Sequence, residues 1–176
     1  MKKLLLSIPL VLMLVGCANL DIKSAKHPKL DKQASWSVLP FANNTETPMA
    51  NDRAASMAAA VLQADGETVI GNLPNDTRTQ ELLGGNWKKR YAAALRNAHR
   101  TGANYALSGS VDEWNYRAGI NAKAAVSLTL WIVDVHSDKI IWRGVANASG
   151  GDFSQASTSN LAQRIINRLI DRALDR

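Results

Sequence analysis

Between Asn104 and Gly151 polar and apolar residues alternate along three successive stretches, and this constrains the fold more than any other pattern in the chain. Tyr105, Leu107 and Val111 share one parity, whereas Ser108, Ser110 and Asp112 share the other. A turn around Ala118, Gly119, Ile120 and Asn121 follows. Beyond it Ala124, Val126, Leu128, Leu130 and Ile132 line one side, with Ser127, Thr129 and Trp131 opposite. His136, Ser137, Asp138 and Lys139 form a second turn, leading into Ile140, Ile141 and Trp142. Period-two alternation between turn clusters predicts an antiparallel meander with one buried face. Its strands of about ten residues exceed the usual five or six. Hairpins that overrun a small core predict contact with a further surface, such as a neighbouring subunit.

The flanking segments supply the layers that cover this meander. Trp36, Val38, Leu39 and Phe41 predict a short strand from Ser35, ended by Pro40 and the turn-rich Asn43, Asn44 and Thr45. From Met49 to Ala64, Ala54, Met57, Ala58, Val61 and Leu62 recur at helical spacing. A strand from Thr68 to Leu73, a polar connection from Pro74 to Asn86 and a helix from Trp87 to Arg100 come next, with Gly102 as the helix stop. A last helix spans Ser157 to Arg176, with Leu161, Ile165, Ile166, Leu169 and Ala173 on one side. The order β-α-β-α-β-β-β-α predicts an α/β fold: one domain over 35–176 with a mixed parallel/antiparallel sheet and helices packed on one face.

The first 16 residues carry Lys2 and Lys3 before the apolar run Leu4 to Val15. That run is shorter than the roughly twenty residues needed to cross a bilayer and has the layout of a secretory signal peptide. It ends in Leu14, Val15, Gly16 and Cys17, which resembles the bacterial lipobox. The resemblance implies acylation of Cys17. Ala18 stands where an aspartate would retain the protein at the inner membrane, so the implied destination is the periplasmic face of the outer membrane. Residues 17–34 are expected to form the lipidated cysteine and a flexible tether reaching about 20 to 25 Å. Lys23, Lys26, Lys29 and Lys32 could lie along anionic headgroups, although a merely solvated linker explains them better.

Charge and residue types exclude several classes. The net charge of +6 falls to +4 once Lys2 and Lys3 leave with the signal peptide, too diffuse a basic excess for a nucleic-acid partner. A single cysteine permits no internal disulfide. His27, His99 and His136 fall in the tether, near a helix end and in a turn, without a nucleophile beside them. Turn-forming residues account for Asp134, His136 and Asp138 better than a metal site does. Gly84 and Gly85 precede no phosphate-binding lysine. Asp112 and Glu113 are adjacent carboxylates, but neighbours in a regular strand point to opposite faces, which suits joint acid and base chemistry poorly. No catalytic residue, metal ligand or cofactor site is expected.

Tryptophan stands out instead. Trp131 lies opposite the apolar parity of its strand, and Trp114 shares the more polar parity of its own, which makes both candidates for a membrane or subunit interface. Trp142 is a third candidate, although its place at the start of the last strand also suits the core. The segments Trp36-Ser-Val-Leu-Pro-Phe-Ala-Asn-Asn-Thr-Glu-Thr-Pro48, Gly102-Ala-Asn-Tyr-Ala-Leu-Ser-Gly-Ser-Val-Asp-Glu-Trp-Asn-Tyr116, Leu128-Thr-Leu-Trp-Ile-Val-Asp134 and Ile140-Ile-Trp142 resemble the PelC family, outer-membrane lipoproteins of Pel exopolysaccharide secretion. A looser version of the Gly-Ala-Asn-Tyr and Ile-Ile-Trp segments resembles the LpoB family, lipoprotein activators of a peptidoglycan synthase. The short tether and Val111-Asp-Glu-Trp-Asn-Tyr116 favour PelC.

The PelC resemblance implies a non-catalytic ring of identical subunits, twelve in that family, beneath the outer membrane beside a PelB-like porin. An acidic funnel would gather a cationic, partly deacetylated amino-sugar polymer. Asp112 and Glu113 are the candidates for its lining. On a basic chain, such a funnel requires Lys and Arg to be segregated toward the membrane.

Overall fold

The computed structural model describes residues 19–70, 86–117, 123–150 and 156–176. The signal peptide with Cys17, most of the Pro74–Asn86 connection and the Ala118–Asn121 turn lie outside these residues.

The meander forms as its alternation predicts. Strands β5 (Tyr105–Arg117), β6 (Lys123–Asp134) and β7 (Lys139–Ser149) pair antiparallel, with Val111 opposite Leu128 and Leu128 opposite Ala146. Strand β2 (Ser35–Val38) adds parallel to β5, and β4 (Thr68–Val69) adds parallel to β2. The two-residue β3 (Ala42–Asn43) pairs with β5 farther along. With β1 (Asn19–Ser24), the sheet has the order β1-β7-β6-β5-β2-β4 and is mixed.

One sheet face is buried under two helices, α1 (Ala50–Ala64) and α3 (Thr158–Leu174). Leu107, Val111, Leu128, Leu130 and Ile132 meet Ala54, Ala58 and Leu62 of α1 and Leu161, Ile165 and Leu169 of α3 in one cluster. Alanines along α1 let it lie close to the sheet. Gly109 has the same purpose within β5, because a Cβ there would come within 2.5 Å of the Thr129 carbonyl and 2.8 Å of the Phe41 ring.

Helix α2 (Trp87–Thr101) does not join that layer, contrary to the expectation of helices on a single face. Its Tyr91, Ala94, Leu95 and Ala98 pack with Leu39, Ala106, Val133 and Val135, which belong to the opposite parity of the sheet. The cause is the handedness of crossovers. The path from β2 to β4 steps outward and puts α1 on one face. The path from β4 to β5 steps back across β2, so a right-handed crossover puts α2 on the other.

The second difference is the N-terminal segment. From Asn19 it is not a tether. Leu20 and Ile22 of β1 pack against the core while Asp21 and Lys23 face out, and the strand pairs with β7 from Asn19 opposite Ser149 to Ser24 opposite Gly144. Residues 25–34 then run along the far end of the sheet. Ala25 donates its N–H to the Arg143 carbonyl (2.8 Å), Leu30 packs on the core, and His27 lies 3.6 Å from Asp175 beyond α3. The lysines of the expected linker are therefore carried by folded chain, and Lys26 and Lys29 lie past the end of β1 remote from Asn19.

Candidate functional site: an open sheet face with an acidic cleft

The face opposite α1 and α3 is only partly covered. Near β2, helix α2 lies over it; toward β1 no described element does. Its surface is polar. Ser110, Thr129, Ser127 and Asn147 lie in adjacent strands across the sheet, and Ser127 donates to Asn147 Oδ1 at 2.6 Å.

Asp112 and Glu113 both belong to this face, which the sequence reading excluded. The register of β5 against β6 slips there: Val111 opposes Leu128, and Glu113 opposes Ser127, leaving Asp112 as the extra residue of a β-bulge. Asp112 Oδ1 accepts from Asn44 Nδ2 (2.8 Å) and Ser110 Oγ (3.0 Å), and its Oδ2 accepts from Thr129 Oγ1 (2.9 Å). Glu113 Oε1 accepts from Asn115 Nδ2 at 3.0 Å. Glu113 also lines an open cleft of about 720 Å³ with Asp21, Lys123, Asn147 and Ser149. Asp21 and Asn147 were not among the sequence candidates. The alternation of Leu20 and Ile22 with Asp21 and Lys23 is the signal that would have found them.

The same bulge relocates Trp114. Parity resumes one residue late beyond Asp112, so Trp114 turns inward and is 3% exposed within the main core. It is not available to an interface. Trp142 is likewise in the core, 2% exposed, with Leu169 of α3 beside it. Trp131 alone of the three reaches the open face. It is half-buried beside the α2 cluster, and the Arg143 guanidinium stands 5.8 Å from its ring centroid, a cation–π pair. Lys23, Arg143 and Thr129 line a second hollow nearby. Carboxylates and cations thus lie side by side on this face, since Thr129, which donates to Asp112, also lines the hollow that holds Lys23 and Arg143. Segregation of charge is partial, because Lys123 sits in the acidic cleft.

The turn residues have structural partners. Asp134 accepts from the Ser137 N–H (2.8 Å) and Oγ (3.0 Å), and these bonds hold its carboxyl below the usual carboxylate range. Asp138 pairs with His99 Nε2 at 2.8 Å, fastening the β6–β7 turn to α2. Among the described residues, no group of three His, Cys, Asp or Glu side chains could hold a metal ion.

The sequence matches no family model and no curated protein. The fold does match solved structures. That of the PelC dodecamer from Paraburkholderia phytofirmans superimposes with a TM-score of 0.70 at 26% identity, covering 88% of this chain and 97% of that one. The chain is similar in fold to PelC. A single-substitution variant of the same PelC, in another crystal form, gives 0.69 at 25% identity over 87% and 98% of the two chains. The lipoprotein GNA1162 from Neisseria meningitidis shares the fold, with a TM-score of 0.58, 20% identity and coverage of 81% and 99%. No helix among the described residues is long and apolar enough to cross a membrane.

Proposed function

We propose that this PelC-like chain is a non-catalytic lipoprotein of exopolysaccharide secretion, anchored by acylated Cys17 to the periplasmic face of the outer membrane. Its copies form a homo-oligomeric ring, dodecameric as in the Paraburkholderia phytofirmans protein, and pass a cationic amino-sugar polymer to a PelB-like porin. The observation that carries this reading is the bulge at Asp112. It brings two adjacent carboxylates onto one uncovered face of a fold that in PelC assembles as a dodecamer. Repetition about a ring axis turns one modest local charge into a concentrated field. Bound polymer would be guided rather than altered, by the hydrogen-bonding and charged groups that the described residues of this face present.

The test is the mass of the soluble domain from Asn19 to Arg176, by light scattering at several concentrations, in solution and on lipid vesicles. A stable assembly of many subunits that retains a cationic amino-sugar polymer is the expected result. A strict monomer under both conditions would overturn the ring.

A further inference from the structure

The register of the sheet sets two unlike rows next to each other on the open face. Asp21 stands opposite Asn147, Asn147 opposite Ser127 and Ser127 opposite Glu113, so this row has a carboxylate at each end and hydrogen-bonding groups between. Two residues along each strand, about 7 Å away, Lys23 stands opposite Val145 and Val145 opposite Thr129. Arg143 lies two residues beyond Val145 on β7, opposite Trp131. Lys23, Thr129, Val145 and Arg143 line one hollow of about 500 Å³, which no acidic side chain among the described residues lines. Neither cation forms an ion pair among the described residues. The contact with the Trp131 ring holds the Arg143 guanidinium at this row. Asp112 lies at the boundary beside Thr129, but its oxygens are already engaged by Asn44, Ser110 and Thr129. Lys123 stands by the first row. The contrast is therefore between two carboxylates with one cation and two cations with none of their own carboxylates.

Each unit of an amino-sugar polymer carries either an ammonium or an acetamido group, and the two rows treat these differently. Beside Asp21 and Glu113 an ammonium is attracted. At the next row it meets Lys23 and Arg143 well within the Debye length of about 10 Å and is repelled. An acetamido group is not: its carbonyl oxygen accepts from the guanidinium, and its methyl group lies against half-buried Val145. The spacing of the rows is comparable with the length of one sugar unit, so neighbouring units fall on rows of opposite kind. We infer that Lys23 and Arg143 are specificity-determining residues, which select a polymer whose charged units are interspersed with N-acetylated ones over a fully deacetylated chain. The selection works by repulsion of the wrong polymer as much as by attraction of the right one. It rests on the proposed passage of an amino-sugar polymer over the open face.

The test uses the full chain, extracted from cells in detergent, and two soluble glucosamine polymers of equal length, one fully deacetylated and one partly N-acetylated. The unsubstituted protein is expected to retain the partly acetylated polymer several-fold more tightly. Lys23→Gln and Arg143→Gln should each raise retention of the fully deacetylated polymer several-fold with little change for the other, and the double substitution should abolish the preference. Lys23→Gln removes a cation while the Arg143–Trp131 pair stays, which separates lost charge from lost packing. A preference that persists in the double variant, an equal gain for both polymers, or an unsubstituted protein that does not favour the partly acetylated polymer would overturn the selection while the polymer reading stood. Retention of neither polymer by the unsubstituted protein would overturn that reading and the selection together.

Discussion

Asp112 engages its own surroundings with both carboxylate oxygens. Asn44, Ser110 and Thr129 all donate to it, which ties the loop after β3 to the sheet and fixes the bulge that turns Glu113 outward and Trp114 inward. Its role is therefore positional as well as electrostatic. Replacing it with alanine removes donors' partners at an exposed site, where each net bond contributes about 0.5–1.5 kcal/mol. Asp112→Ala should destabilise the domain by about 1–2 kcal/mol, measured by urea unfolding, whereas Glu113→Gln should leave the midpoint almost unchanged. Asp134 shows the same economy in a turn. Hydrogen bonds from Ser137 lower its folded pKa below the unfolded value of about 3.9. It thus contributes stability above that value, and the contribution is lost as pH falls through the lowered folded pKa. Asp134→Asn should lower stability at neutral pH, where that contribution is fully present, and flatten the fall in stability below about pH 4. The bulge was legible in one detail of the sequence: apolar side chains move from odd positions at Leu107 and Val111 to the even position Trp114. A strict period of two hid it.

At the scale of elements, the meander was readable because its strands are long and each has a turn cluster at its end. β1 was not, since only Leu20 and Ile22 mark its inward side and it follows closely on the apolar run Leu4 to Val15. The position of α2 could not be read from its amphipathic stripe either, because a stripe shows that a helix packs but not on which face. That choice lies in the strand order, with β4 outside β2 and β5 inside. The consequence for experiment is direct. A domain begun at Ser35 would lack β1 and expose the β7 edge, leaving Leu20, Ile22 and Leu30 without their places on the core. Each is partly buried, so each contributes less than the roughly 1.5–3 kcal/mol of a fully buried side chain. The chain from Ser35 should be less stable than that from Asn19 by about 2–4 kcal/mol. It should also associate through its bare edge. Comparing urea midpoints and light-scattering masses of the two chains tests both expectations. Equal midpoints would mean that β1 is held by the sheet without supporting it.

At the scale of the whole molecule, the difficulty is that a chain of net charge +6 is assigned a cationic partner in the proposed function. Net charge governs approach from a distance; local charge governs what happens at a surface. In about 0.1 M salt the Debye length is about 10 Å, so a polymer lying on the open face responds to Asp21, Asp112 and Glu113, and to Lys123, Lys23 and Arg143 beside them, more than to Lys26 and Lys29 beyond β1. A single subunit offers too few such contacts to hold a flexible chain. A ring presents the same carboxylates repeatedly, and small contributions add along the polymer. Glu113→Gln and Asp21→Asn, at a half-buried and an exposed position, should each weaken one contact by a few tenths of a kcal/mol. In an assembled ring the summed loss should be about tenfold or more in retention of a cationic amino-sugar polymer, because about 1.4 kcal/mol corresponds to a factor of ten. Raising the salt from about 0.05 to 0.5 M should have the same direction of effect. The measurement is co-sedimentation of polymer with vesicle-bound protein, with both variants checked for unchanged mass. If binding survives both substitutions and the salt, the acidic end of the open face does not hold the polymer, even though the bulge presents its carboxylates there.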